Sequence, residues 1–169
     1  GTSGSGLGIE FAGSANIDYI HDVISAQTIN STVTADNDVN VNAESDSENL
    51  QVAGSFDYSS AKTGVGVNGS VDVNQYENNI FAQIDADSKI LKANNVTVSA
   101  RSEEKANVIP VGLSVSTDKN LAMLAATVGV NIIDNSVRAY IRGDIGTDEN
   151  KVNNINVNAY DETTLYTRG

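Results

Sequence analysis

The stretch Ile17-Asp18-Tyr19-Ile20-His21-Asp22-Val23-Ile24-Ser25-Ala26 returns at residues 73–82 and again at 130–139, at offsets of 56 and 57 residues. A period of that length is the mark of a stacked array, in which one unit buries its apolar face against copies of itself. A second block sets the register: Asp38-Val39-Asn40-Val41-Asn42-Ala43 reappears at 95–100 and at 154–159. The chain therefore reads as a single all-β segment over 1–169, a parallel β-solenoid (β-helix) built from three repeats near 7–63, 64–120 and 121–169, the last incomplete. The opening Gly1-Thr2-Ser3-Gly4-Ser5-Gly6 has neither the basic nor the apolar region of a signal peptide. With the repeat under way near Gly8, it is read as a piece of a longer protein.

Within each unit apolar residues fall at every second position, and no stretch sustains helical spacing. A first strand, a, alternates Ile9, Phe11, Gly13, Ala15 and Ile17 with small or polar residues, and residues 65–73 and 122–130 repeat it in phase. A one-residue slip turns every side chain to the other face, so agreement across three copies predicts a shared buried face. After a polar corner at His21-Asp22, Glu77-Asn78-Asn79 and Asp134-Asn135, strand b carries Ile24, Ala26 and Thr28, with Ile80, Ala82 and Ile84, then Val137, Ala139 and Ile141.

Strand c has the inward set Val39, Val41 and Ala43, matched by Val96, Val98 and Ala100 and by Ile155, Val157 and Ala159. A strand d runs near 50–58 and 108–116, where Gly54 aligns with Gly112 at an offset of 58 but Phe56 with Leu113 at 57, which predicts a bulge. Pro110 falls in strand d and is expected at a strand end or bulge, since it lacks a ladder donor. The junctions at 59–64 and 117–120 leave open an antiparallel hairpin of d on a. A repeat would form one wide coil or two to three ordinary ones.

Composition bounds the function. Twenty-two acidic against ten basic residues give a formal charge of -12, which repels phosphate backbones and anionic lipid, so neither nucleic acid nor lipid headgroups are expected partners. No cysteine is present, which removes disulfides and thiolate metal sites. No run approaches the roughly 18 apolar residues of a membrane helix. Alternating strands also occur in outer-membrane barrels, but 5% aromatic content and Asn-rich strands argue against one, and no membrane insertion of this segment is expected.

Candidate chemistry is sparse. His21, the only histidine, aligns with Glu77 and Asp134, an expected exposed column, and Asp22 beside it points elsewhere in an extended segment, so no Ser-His-Asp arrangement has local support. Asp36-Asn37-Asp38, Glu44-Ser45-Asp46-Ser47-Glu48 and Asp85-Ala86-Asp87 offer oxygens for calcium but match no known calcium loop and do not recur between copies. Paired carboxylates would also suit a polysaccharide hydrolase, but Arg101, Arg138, Arg142 and Arg168 show no grouping that would hold an acidic sugar. Gly64-Val65-Gly66-Val67-Asn68-Gly69 superficially suggests a phosphate loop, yet its glycines alternate within a strand pattern. The sequons at Asn30, Asn68 and Asn95 matter only in a eukaryotic secretory route. No catalytic, cofactor-binding or metal-ligating residue is assigned, no cofactor is expected, and the chain is read as a non-enzyme.

The string Val-Gly-Val-Asn-Ile-Ile-Asp-Asn-Ser-Val-Arg-Ala-Tyr-Ile at 128–141, followed by Asn-Ile-Asn-Val-Asn-Ala at 154–159, resembles the repeat region of very large bacterial filamentous adhesins. The similarity is to leukotoxin-like and filamentous haemagglutinin-like passengers of type V (autotransporter or two-partner) secretion, and it covers nearly the whole chain. It implies an extracellular, cysteine-poor β-helical stalk on the bacterial cell surface that takes part in attachment and virulence. The implied partner is a receptor or glycan on a host or bacterial surface, with end-to-end self-association a further expectation. The alternative reading is a carbohydrate-binding or polysaccharide-degrading β-helix.

Overall fold

The computed structural model describes residues 8–59, 64–116 and 121–167. They form a parallel β-helix with one coil per repeat. Each coil runs out along a long strand, crosses a short one and returns along a second long strand. Coil one holds β1 (Gly8–Thr28), β2 (Thr32–Thr34) and β3 (Val39–Ser59); coil two holds β4 (Gly64–Ile84), β5 (Lys89–Lys92) and β6 (Asn95–Ser116); coil three holds β7 (Leu121–Ile141), β8 (Asp144–Ile145) and β9 (Asn154–Thr167). Stacking gives three parallel sheets, β1-β4-β7, β2-β5-β8 and β3-β6-β9. Equivalent residues of successive repeats are direct ladder partners, as in Ile17↔Val73↔Val130 and Val39↔Val96↔Ile155. Each repeat therefore advances the stack by one inter-strand spacing, about 4.8 Å, while a 21-residue strand spans about 70 Å. The molecule is a flat blade rather than a slender rod.

Strands a and b are one strand, and so are c and d. The β1–β4 ladder runs unbroken from Gly8↔Gly64 to Thr28↔Ile84, so His21-Asp22 and its counterparts lie mid-strand and form no corner. The polar residues there do what any extended residues do, alternating between the two faces. With no corner to reset the alternation, the apolar set of strand a faces outward, contrary to the expected buried face. Phe11 is 79% and Ile17 77% exposed, and even in the middle coil Val65 and Val71 are each 46% exposed, whereas the intervening Asn68, Ser70, Asp72 and Asn74 are all buried.

The apolar core sits at the closed end of the blade, beside the short sheet. Ile80, Ala82 and Ile84 of β4 meet Ile90 of β5 and Val96, Val98 and Ala100 of β6, with Val41 and Ala43 from coil one. Strands b and c thus bury the sets read from their alternation. In coil three Ile155 and Val157 keep the register but are about half exposed, because among the described residues no further coil covers them.

The β3–β6 ladder keeps one offset from Val39↔Val96 to Ser59↔Ser116, pairing Gly54 with Val111, so there is no bulge in strand d. The irregularity lies instead in the short sheet, between Val33 and Thr34, where coil two has one residue more. Length differences between repeats are absorbed at these corners, where few ladder bonds are at stake. Pro110 lies within β6, opposite Ala53, and not at a strand end. The d-on-a hairpin does not form: β3 pairs with β6 and β4 with β1 and β7, and the long strands of one coil face each other across the blade. The connections at 60–63 and 117–120 lie outside the described residues. The parallel ladders also differ from the antiparallel pairing of an outer-membrane barrel.

Candidate functional site

The inversion of strand a places a polar spine between the two long sheets. The Asn16 amide donates to Asp72 at 2.9 Å and to Asp18 at 2.8 Å, Ser70 donates to Thr127 at 3.1 Å, and Asn74 donates to Asn131 at 3.2 Å. Across the blade Asn74 reaches Gln51, and Asn78 donates to the Glu104 carboxylate at 2.9 Å. Short polar side chains at every second position form such ladders readily, because a stack repeats donors and acceptors at the strand spacing. Among the described residues, three buried polar atoms have no protein partner: Asn68 Nδ2, Asn74 Oδ1 and Glu104 Oε1.

Among the described residues, the spine buries two carboxylates, Asp72 and, on the facing sheet, Glu104, which is 1% exposed. Burial pushes the Glu104 carboxyl above the ordinary glutamate range, the amides of Asn135 and Asn78 pull the other way, and Asp161 and Asp22 raise it further. Nearer the coil-one surface, a cavity of about 220 Å³ opens between Ser14, Asn16, Gln51, Ser70 and Asp72. Beside Val52, Gly54 and Val71 its lining is amides, hydroxyls and one carboxylate, a set that hydrogen-bonds water but holds no pair of carboxylates. Sequence reasoning missed the whole spine. Its signal is the alternation of Asn68, Ser70, Asp72 and Asn74 in column with Ala125, Thr127, Gly129 and Asn131.

The individual candidates lie apart from the spine. His21, Glu77 and Asp134 do form one ladder column, on the outward face of mid-strand residues. His21 Nδ1 lies 3.6 Å from Glu77, and the Tyr19 hydroxyl donates to the same carboxylate. That hydrogen bond, with the nearby imidazole, holds Glu77 below the ordinary glutamate range. The column carries no serine, threonine or cysteine. Glu44, Asp46 and Glu48 are alternate residues of β3 rather than a loop, and Glu44 pairs with Arg101 at 2.8 Å. Asp36 pairs with Lys92 at 2.7 Å. Asp85 organises a corner by accepting from Ser88 Oγ at 2.6 Å and from the Asn30 amide, which lowers its pKa.

Among the described residues no three His, Cys, Asp or Glu side chains converge as a metal site. Arg101, Arg138 and Arg142 are dispersed and engaged, with Arg138 on Asn79 at 2.7 Å and Arg142 on Gln83 at 3.1 Å; Arg168 lies outside the described residues. Gly64–Ile84 is strand throughout, so its glycines form no phosphate loop. Of the sequon residues, Asn30 takes a left-handed φ of 43° at a corner, Asn68 is buried, and Asn95 joins the amide ladder Asp38, Asn95, Asn154. No helix among the described residues is long and apolar enough to cross a membrane.

No known protein family, curated protein or solved structure matches the chain. What the surface offers is two zones. Near the closed end the outward faces are charged and polar, with Arg101 lying 5.7 Å over the Tyr160 ring. Toward the end of the blade away from the short sheet they are apolar.

Proposed function

We propose that the chain is part of an extracellular bacterial adhesin, exported by a type V route and displayed on the cell surface as an adhesive shaft. The observation that carries this reading is the unbroken coil-to-coil register: every long-strand ladder passes from one repeat to the next with its outward columns preserved. A stack of that kind is extended by adding units and repeats one contact surface along its length. The resemblance of residues 128–141 and 154–159 to filamentous adhesin repeats agrees with it. Because 57 residues advance the stack by only about 4.8 Å, the shaft contributes contact area along a broad face more than reach. Its role is binding rather than catalysis, toward a surface receptor or glycan.

Two measurements test this. External protease applied to intact cells that make the protein naturally should remove it, and beads coated with the purified chain should attach to epithelial or bacterial surfaces above beads carrying an unrelated acidic protein. Full protection from external protease, or attachment no greater than the control on every surface, would overturn the reading.

A further inference from the structure

We propose that the outward face of the β1-β4-β7 sheet, over the first half of its strands, is a docking surface for a second copy of the same chain, so that blades pair side by side. The inference goes beyond adhesion and does not depend on it. On this face alternate positions 9–17, 65–73 and 122–130 form a grid of five columns across three coils. None of these positions is charged or polar. Eight of them are 39–79% exposed, an apolar area on the order of the roughly 800 Å² per partner of a stable interface.

Three features select a second copy as the occupant. The first is period. The grid repeats every about 4.8 Å along the stack, and another copy carries the same spacing, so contacts made at one coil recur at the next. The second is shape. The column Gly13/Gly69/Ala126 is a groove beside the ridge Phe11/Val67/Leu124, so two such faces related by a two-fold axis place each ridge in the other's groove at ordinary sheet-packing distance. Gly69 leaves real space there, since a Cβ built on it meets nothing closer than Ala126 O at 3.8 Å. The third is charge. A chain of net charge -12 repels its own copies, yet the grid excludes every charge, and the polar rim begins at the next column, Tyr19/Gln75/Ile132, and becomes charged at His21, Glu77 and Asp134. The same negative charge and the lack of a cationic border disfavour a lipid surface. The opposite sheet is a weaker candidate, because its outward column Leu50/Asn107/Tyr166 carries a polar residue beside the apolar ones.

The test is the molar mass of the intact chain by sedimentation or light scattering at micromolar concentrations. Wild type should reach twice its 17.7 kDa. Phe11→Glu/Leu124→Glu, which charges the ridge, and Gly69→Phe, which fills the groove without adding charge, should each stay monomeric with an unchanged circular dichroism spectrum. Wild type monomeric at every concentration, dimers persisting in both variants, dimers lost instead on Val111→Glu in the opposite sheet, or flotation of monomers with phosphatidylcholine vesicles would each overturn the proposal.

Discussion

Val98→Asp and Val71→Asp make the same chemical change at two valines that the period-two pattern treats alike, and the fold predicts opposite outcomes. Val98 is fully buried, stacked between Val41 and Val157 and facing the Ile80, Ala82 and Ile84 side of the core. Replacing it forfeits about 1.5–3 kcal/mol of apolar burial and leaves a carboxyl without a partner, a further cost of about 1–3 kcal/mol. The total, about 3–6 kcal/mol, is a large part of the roughly 5–15 kcal/mol that holds an ordinary domain together. At roughly 2–4 °C per kcal/mol for a chain of this size, melting should fall by about 6–24 °C. Val71 is 46% exposed on the outward face of β4, where a surface substitution stays within about 0.5 kcal/mol. The assay is urea and thermal unfolding followed by circular dichroism, at a protein concentration low enough that association does not contribute. Equal destabilisation by the two substitutions would refute the reasoning, since it would put the odd-numbered residues of 65–73 inside the blade.

Glu104→Gln should stabilise the protein at neutral pH. The buried carboxyl has a raised pKa in the folded state, so its contribution is most favourable below the unfolded glutamate pKa and is lost as pH rises through the folded value. In wild type, stability should therefore increase as the pH is lowered through the raised folded-state value toward that of an ordinary glutamate, and the variant should flatten that slope in pH-dependent urea titrations. Below about pH 4 the opposite sign takes over, because Glu77 and Asp85, whose pKa values are lowered, lose their hydrogen-bonded charged forms. Gly143→Ala should destabilise strongly, by about 2–4 kcal/mol, since a Cβ there meets Ser88 O at 2.3 Å and Asp85 O at 2.5 Å, both backbone atoms; Gly146→Ala, whose constraint is a φ of 80°, should cost only about 1 kcal/mol. Hydrogen exchange should protect amides 96–100 of the middle coil more than amides 155–159, whose strand has one described neighbour, and equal protection would mean that a further layer covers β9.

The sequence by itself determined the period, the stacked all-β architecture and the two sets of columns at the closed end, whereas the hairpin of d on a stayed open until the ladders showed every pairing parallel. A repeat near 57 residues, carried by Ile17 and its counterparts, leaves little choice but stacking, and Ile80, Ala82, Val96 and Val98 lie inside as their alternation requires. The column His21, Glu77, Asp134 was legible for the same reason, since ladder partners are repeat equivalents. The polar spine and the outward apolar grid were decided only by the tertiary structure. Period two says which residues share a face, not which face turns inward. The phase slip between Ile17 and Ile20 is consistent with a corner that restores the buried side, or with a straight strand whose inward lining changes from polar to apolar. The unbroken β1–β4 ladder selects the straight strand. It does so because Asn16, Asp72, Asn74 and Glu104 find partners across coils and across the blade, partners that no local pattern contains and that exist only once the coils are stacked.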